Sequence, residues 1–371
     1  MTNIAWKNLS GERTRFAMSV VGVAFSVVLI ITLRALYWGV IDEATRYVRT
    51  TGADLWVAQA GSPGDFLQAR SVLPAAAEAD IKRVTGVAGA SPLLSRPVGF
   101  RLGGRDTDLF LLGVAPVGQP GWPEAVASGD SRPPGRGEVV IDRVFAKNFD
   151  VQTGDVLPIG PKGLKVAAIV GGGNAFAYQF AWAHFDDVAA MVGVDGFVSY
   201  FLVRTAAGED ADAVGRRIEQ QVGGTEVFAG TELADRNADN LREGFLPVLW
   251  VLVIVAFVVG TIIIGLIIYT ATVEKSREYG VLKAIGFSNR RLYAVVFQQS
   301  LLAATAGFLL GCIISVVLGP AIEEIVPVFV TQIRPGDIVF AGVGALGMAL
   351  LASFVPARPI TRLDPAQVFQ A

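Results

Sequence analysis

The chain has one cysteine, Cys312, one histidine, His184, and little charge: 17% of its 371 residues are Asp, Glu, Lys or Arg, against 52% hydrophobic. A lone cysteine inside an apolar run excludes an intramolecular disulfide and a cysteine-based metal cluster. One imidazole likewise excludes a multi-histidine metal site within the chain. The 31 Lys and Arg nearly balance the 33 Asp and Glu, so no global basic excess suggests a nucleic-acid partner. The G-x-S-x-G, H-E-x-x-H and Walker patterns are missing too. The glycine-rich "GGGN" at 171–174 lacks the lysine and the Ser/Thr of a phosphate loop and reads as a flexible turn. His184, close to Trp182 and Phe185, reads as a structural or surface histidine. No catalytic or metal-binding residue is therefore expected here, and a step driven by ATP would need a separate polypeptide.

Long apolar runs are what the sequence has in quantity. Four reach the roughly 20 residues that cross a bilayer core as helix, at 17–40, 246–272, 292–319 and 337–356. About 200 residues of mixed polarity, 41–245, separate the first from the second, the size of a folded domain. The expected fold is an α-helical membrane protein with four transmembrane helices and a large extracytoplasmic α/β domain between helices 1 and 2. Lys and Arg set the orientation. Lys7, Arg13 and Arg15 precede the first run, Lys275, Arg277, Lys283, Arg290 and Arg291 fill 273–291, and Arg358 and Arg362 follow the fourth. Glu323, Glu324, Arg334 and Asp337 mark the loop at 320–336 instead. Both termini and 273–291 are thus expected in the cytoplasm, with the chain multi-pass in the plasma or inner membrane. The first run exceeds a signal peptide's apolar core and lacks a clear small-residue cleavage site, so it reads as a retained span.

Within 41–245, "GFRLGGRDTDLFLLGV" reads as a hairpin turning at Gly103 and Gly104. "GEVVID" reads as a strand, "RVFAKNF" as a short helix, "VQTGD" as a turn and "LKVAAIV" as a buried strand. "YFLVRT" with an amphipathic helix starting near Asp210 suggests a second α/β lobe. The Pro- and Gly-dense interval 113–137 reads as a surface loop.

Inside the spans, Gly307, Gly311, Ser315 and Gly319 recur every four residues, and Gly22 and Ser26 repeat that spacing. Such stripes let helices approach closely, either within one chain or across a dimer seam. Arg34 is the single ionisable residue well inside a span. It either snorkels to the headgroups, joins a structural pair, or lines a substrate pathway open to the outside. Between the second and third spans, Tyr279, Val281, Leu282 and Ile285 recur at helical spacing among Lys275, Arg277, Glu278 and Lys283. Gly286 can stop that helix and Ser288 can cap the next. A short cytoplasmic helix results, able to transmit force if a partner grips it; a solvated basic linker would explain the charges alone.

"EKSREYGVLKAIG", 274–286, resembles the cytoplasmic loop of MacB-type, FtsX-like permeases of type VII ABC transporters, matching at Glu274, Arg277, Glu278, Gly280, Leu282, Lys283, Ala284 and Gly286. "IAWKNLSGERTRFAMSVVGVAFSVVLI" is similar to the family's amphipathic leading helix, here 1–16, and first span; "PARPITRLDPAQVFQA" is similar to its C-terminal tail. "GEVVID" followed by "NFDVQTGD" resembles its external domain, and four spans resemble its DevC-like and haem-exporter-like members. The resemblance implies a homodimer in membrane lipid, bound to a dimer of a separate ABC ATPase that supplies ATP and Mg. This chain itself would bind no cofactor. Glu274 to Gly286 would couple the two by mechanotransmission, with Tyr279, Val281, Leu282 and Ile285 seated in an ATPase groove and Glu274, Arg277, Glu278 and Lys283 at its rim. The function implied is export or extraction of a hydrophobic or lipid-linked substrate, with haem as one candidate. A signal relay to a cell-wall hydrolase, through an extracytoplasmic protein partner and without transport, stays open, as does a membrane-anchored binding domain without an ATPase.

Overall fold

A computed structural model describes residues 13–354 apart from 68–70, 116–119, 123–125, 131, 176–177, 195, 245, 286 and 327. Most of the leading helix expected at 1–16, the tail at 357–371, and Gly286 lie outside the described residues. The first apolar run opens one uninterrupted helix, α1 (Arg13–Thr50), of 38 residues. At 1.5 Å per residue it is about 57 Å long, against about 30 Å of hydrocarbon core. No proline interrupts it, so nothing in its sequence stops it at the membrane edge.

Its far end belongs to a compact α/β unit, Gly39–Phe245 with Val326–Val330. The strands are β1 (Leu55–Gln59), β2 (Leu73–Pro74), β3 (Val87–Leu102), β4 (Arg105–Val114), β5 (Val126–Gly129), β6 (Glu138–Asp142), β7 (Val156–Leu157), β8 (Leu164–Val170), β9 (Asn174–Ala175), β10 (Tyr178–His184), β11 (Phe197–Val198), β12 (Tyr200–Thr205) and β13 (Thr225–Ala229). Between them come α2 (Ala77–Arg83), α3 (Arg143–Phe149), α4 (Phe185–Val192) and α5 (Ala211–Gln221), and α6 (Gly230–Gly244) follows. The main sheet runs β13-β1-β12-β3-β4-β10-β6-β8-β5. The hairpin turn falls where it was expected, with φ of 57° at Gly103 and 79° at Gly104.

The second lobe suggested by "YFLVRT" is instead one half of this continuous sheet. β3 is 16 residues long and joins the halves, pairing with β12 over Val87 to Leu93 and with β4 over Leu94 to Leu102. The interval 113–137 is not all loop either: β5 lies inside it and pairs with β8. Strand alternation gives the sheet two faces. Leu55 and Val57 point toward Val214 and Ile218 of α5, whereas Trp56 joins Tyr47, Phe66, Phe110, Phe180, Trp182 and Tyr200 in an aromatic core. Tyr47 anchors the end of α1 in that core and donates to the Gly121 carbonyl at 2.9 Å.

The "GGGN" turn is pinned rather than free. Buried Asp142 accepts from Val144 N at 2.7 Å, capping α3, and from Gly173 N at 2.9 Å. Asn174 Nδ2 then donates to the Val328 carbonyl at 3.0 Å, tying the loop between the third and fourth spans to this unit. Burial raises the Asp142 carboxyl above its ordinary value, against the lowering effect of those two amides. Between the ordinary and the raised value the native state holds a proton that the unfolded chain has released, so stability falls as pH rises through that window. Asp142→Asn is expected to flatten the fall of Tm as pH rises above the ordinary carboxylate range, and to lower Tm through the lost Gly173 bond, worth roughly 1 kcal/mol. Thermal melts of the full chain check both.

The other unit, Met1–Trp38 with Leu246–Ile325 and Thr331–Ala371, is helical. Its remaining helices are α7 (Pro247–Glu274), α8 (Ser276–Ala284), α9 (Asn289–Ile325) and α10 (Pro335–Phe354). With α1, the helices α7, α9 and α10 are long and apolar enough to cross a membrane. Val23, Val27, Ile30, Val253, Ile264, Val296, Ala345 and Met348 form their shared core.

Candidate functional site

The charged interval between the second and third spans is a nine-residue helix, α8, held at both ends by membrane helices. Lys275, at φ −89° and ψ 14°, ends α7 and starts α8, so the chain bends without a long loop. On the far side Phe287 N donates to the Leu282 carbonyl at 3.0 Å, and the Ser288 carbonyl accepts from Leu292 as α9 begins.

This anchoring gives α8 two faces. Tyr279 is 3% exposed and packs in the bundle core with Leu292 and Val296; Gly280 is buried beside it, and Leu282 is half-buried against the same core. The bundle's own apolar surface therefore claims Tyr279 and part of Leu282. The surface left open is apolar as well: Val281 is 41% and Ile285 68% exposed, flanked by exposed Arg277 and Glu278 and half-buried Lys283. Tyr279, Leu282, Phe287, Leu292 and Val295 line a recess of about 360 Å³, with Glu278 and Val281 at its mouth. Glu274, at the end of α7, pairs with Arg15 at the foot of α1 and keeps its side chain largely exposed.

The small-residue stripe of α9 faces α1 of the same chain. A Cβ on Gly307 would meet Val23 Cβ at 2.5 Å, and one on Gly311 would meet Val27 at 2.7 Å and the Ala24 carbonyl at 3.0 Å. On α1, a Cβ on Gly22 would meet Ile263 of α7 at 2.5 Å. Ser26 lies under Gly260 of α7, at 2.5 Å from its Cβ position. Ser315 is buried and donates back to the Gly311 carbonyl at 2.8 Å, and Gly319 sits by Thr331. Of the two readings of these stripes, packing within one chain is the one the contacts satisfy.

Arg34 pairs with Asp337 of α10, its Nε donating to Oδ1 at 2.6 Å. Asp337 is fully buried and its second oxygen accepts from Arg334 N at 3.1 Å. From sequence Asp337 reads only as loop charge, since its partner lies 303 residues away. His184 caps α4, its Nδ1 accepting from Asp186 N at 3.3 Å. Among the described residues, no group of three His, Cys, Asp or Glu is placed to hold a metal ion.

The MacB-like periplasmic core domain matches residues 16–221, and the FtsX-like permease C-terminal domain matches 250–365. The chain belongs to the FtsX-like, MacB-type permease family. An uncharacterised ABC transporter permease of Mycobacterium tuberculosis is 26% identical to this permease over 378 residues, covering 98% of both chains. A probable export ATP-binding/permease protein of Pseudomonas fluorescens is 23% identical, covering 98% of this permease and 59% of that protein. Among solved structures, the periplasmic region of MacB from Actinobacillus actinomycetemcomitans aligns at a TM-score of 0.40 and 11% identity, over 53% of this permease and 96% of that chain. As an ABC transporter permease and multi-pass membrane protein, it belongs with an ATPase partner.

Proposed function

We propose that this permease couples ATP hydrolysis, carried out by a separate ATPase dimer, to export or extraction of a hydrophobic or lipid-linked molecule by mechanotransmission. The observation that carries the reading is the division of α8 into a face packed into the bundle through Tyr279 and a face that exposes Val281 and Ile285. A push on the exposed face passes straight into the second span at Lys275, where α7 ends and α8 starts, and reaches the third span across residues 285–288. The unbroken α1 supports the second half of the scheme, since one continuous helix carries the chain from Arg15 to Tyr47.

In this reading the chain works as a homodimer, with both termini and α8 in the cytoplasm and the α/β domain outside. Leu309, Ile313, Val316 and Val317 of α9 are exposed apolar residues, available to lipid or to a second copy. The P. fluorescens relative, whose name joins ATP-binding and permease functions, supports a functional pairing of the two activities.

The test is co-purification with candidate ABC ATPases from the same organism, followed by ATP turnover with and without the permease in lipid nanodiscs. Stable association with altered turnover is expected. No association would return α8 to a basic linker obeying the positive-inside rule.

A further inference from the structure

The surroundings of Arg34 do more than neutralise a buried charge. Its guanidinium carbon lies 4.6 Å from the Phe340 ring centroid and 5.2 Å from that of Trp250, so aromatic surface flanks the group. Arg34 engages Asp337 through Nε alone, at Oδ1, while the carboxylate's other oxygen accepts from the Arg334 amide. Among the described residues, the Nη groups of Arg34 make no hydrogen bond.

A guanidinium has five N–H donors, and four belong to the Nη groups. Leaving such donors unmade in a bilayer is costly. The side chain is 16% exposed, so part of that edge reaches the surface of the bundle. One helical turn further along α1, Trp38 carries a second guanidinium, that of Arg334, at 4.0 Å. Asp337 pairs with the first of these cations, and the second also donates from Nη2 to Gln332 Oε1 at 3.1 Å. Tyr37, Trp38 and Trp250 gather at this end, and such aromatic clusters mark the headgroup level.

We propose that Arg34 forms an anionic headgroup site, its Nη edge taking two oxygens of the phosphodiester of a membrane amphiphile. The planar fork matches two phosphate oxygens, which a lysine ammonium does not. Asp337 and the two rings hold the fork in place, while Arg334 adds attraction at the rim. The site deepens the export reading by naming an anionic amphiphile as the substrate class, and it rests on that reading only in making the ligand a cargo.

The test needs no ATPase. The full chain is placed in nanodiscs of equal phosphatidylglycerol and phosphatidylcholine, and retained lipid is counted by native mass spectrometry on release. Wild type is expected to retain phosphatidylglycerol with a preference of about tenfold, as for one strong bidentate contact. Arg34→Gln/Asp337→Asn removes both charges without stranding a carboxylate, and should bring the ratio to parity. Arg34→Lys keeps the ion pair but loses the fork, and should lose most of the preference; it also serves if the double variant does not fold. No preference in wild type, or an unchanged one in either variant, overturns the site. Release of the lipid by excess inorganic phosphate would overturn the amphiphile in favour of a free anion. Failure of ATPase association would sink the exporter reading and leave this lipid result standing.

Discussion

Val281→Asp/Ile285→Asp is expected to abolish ATPase association and stimulated turnover while leaving the melting temperature of the permease nearly unchanged. Both side chains are largely exposed, and surface substitutions of that kind move stability by only about 0.5 kcal/mol. In a docked complex the same residues would be central apolar anchors, each worth about 2 kcal/mol or more, or roughly thirtyfold in affinity. A carboxylate buried at each point adds a desolvation cost on top. Tyr279→Ala makes the contrast. That ring is part of the bundle core, so its loss should cost about 3 to 5 kcal/mol of stability and lower Tm before any coupling defect can be read. Nanodisc turnover with unchanged stimulation in the double aspartate variant would end the coupling role of α8.

Gly307→Val and Gly311→Val should each weaken the bundle strongly, through the contact of α9 with α1. Exchanging Gly for a β-branched residue gains some helix propensity, a few tenths of a kcal/mol. Overpacking works against it at about 1 to 3 kcal/mol, and here one neighbour is the Ala24 backbone carbonyl, which cannot rotate away. The packing term wins. Gly344→Ala is the control, because the nearest side-chain atoms are 3.9 Å from its Cβ position, an ordinary contact. A melting temperature that drops for Gly307→Val and holds for Gly344→Ala, independently of protein concentration, places the stripe inside one subunit. A drop that fades with rising protein concentration would instead assign it to a dimer seam.

Local signals made much of the domain legible. Paired glycines at 103 and 104 announced a turn because few other residues adopt positive φ there at low cost. Asp210 announced a helix start because its carboxylate can take an orphan amide, and it does so from Asp212 N at 3.3 Å. β5 is not legible in the sequence because four residues in a Pro- and Gly-dense interval carry no periodicity; pairing with β8 alone makes it a strand. The continuity of the sheet is hidden for the same reason, since nothing in "GASPLLSRPVGF" tells that one strand serves two neighbours in succession.

Around the candidate site, hydropathy and one motif are enough to locate the spans, the short helix between the second and third, and the family. Hydropathy over about 20 residues and helical spacing over four or five are properties of a segment, and survive without its neighbours. Which face of α8 stays open, which helix the glycine stripe touches, and that Arg34 meets Asp337 were decided only by the tertiary structure. Each of those depends on two segments far apart in the chain arriving at one place. Tyr279 and Ile285 look alike as apolar residues of one short segment; the bundle buries the first and leaves the second exposed.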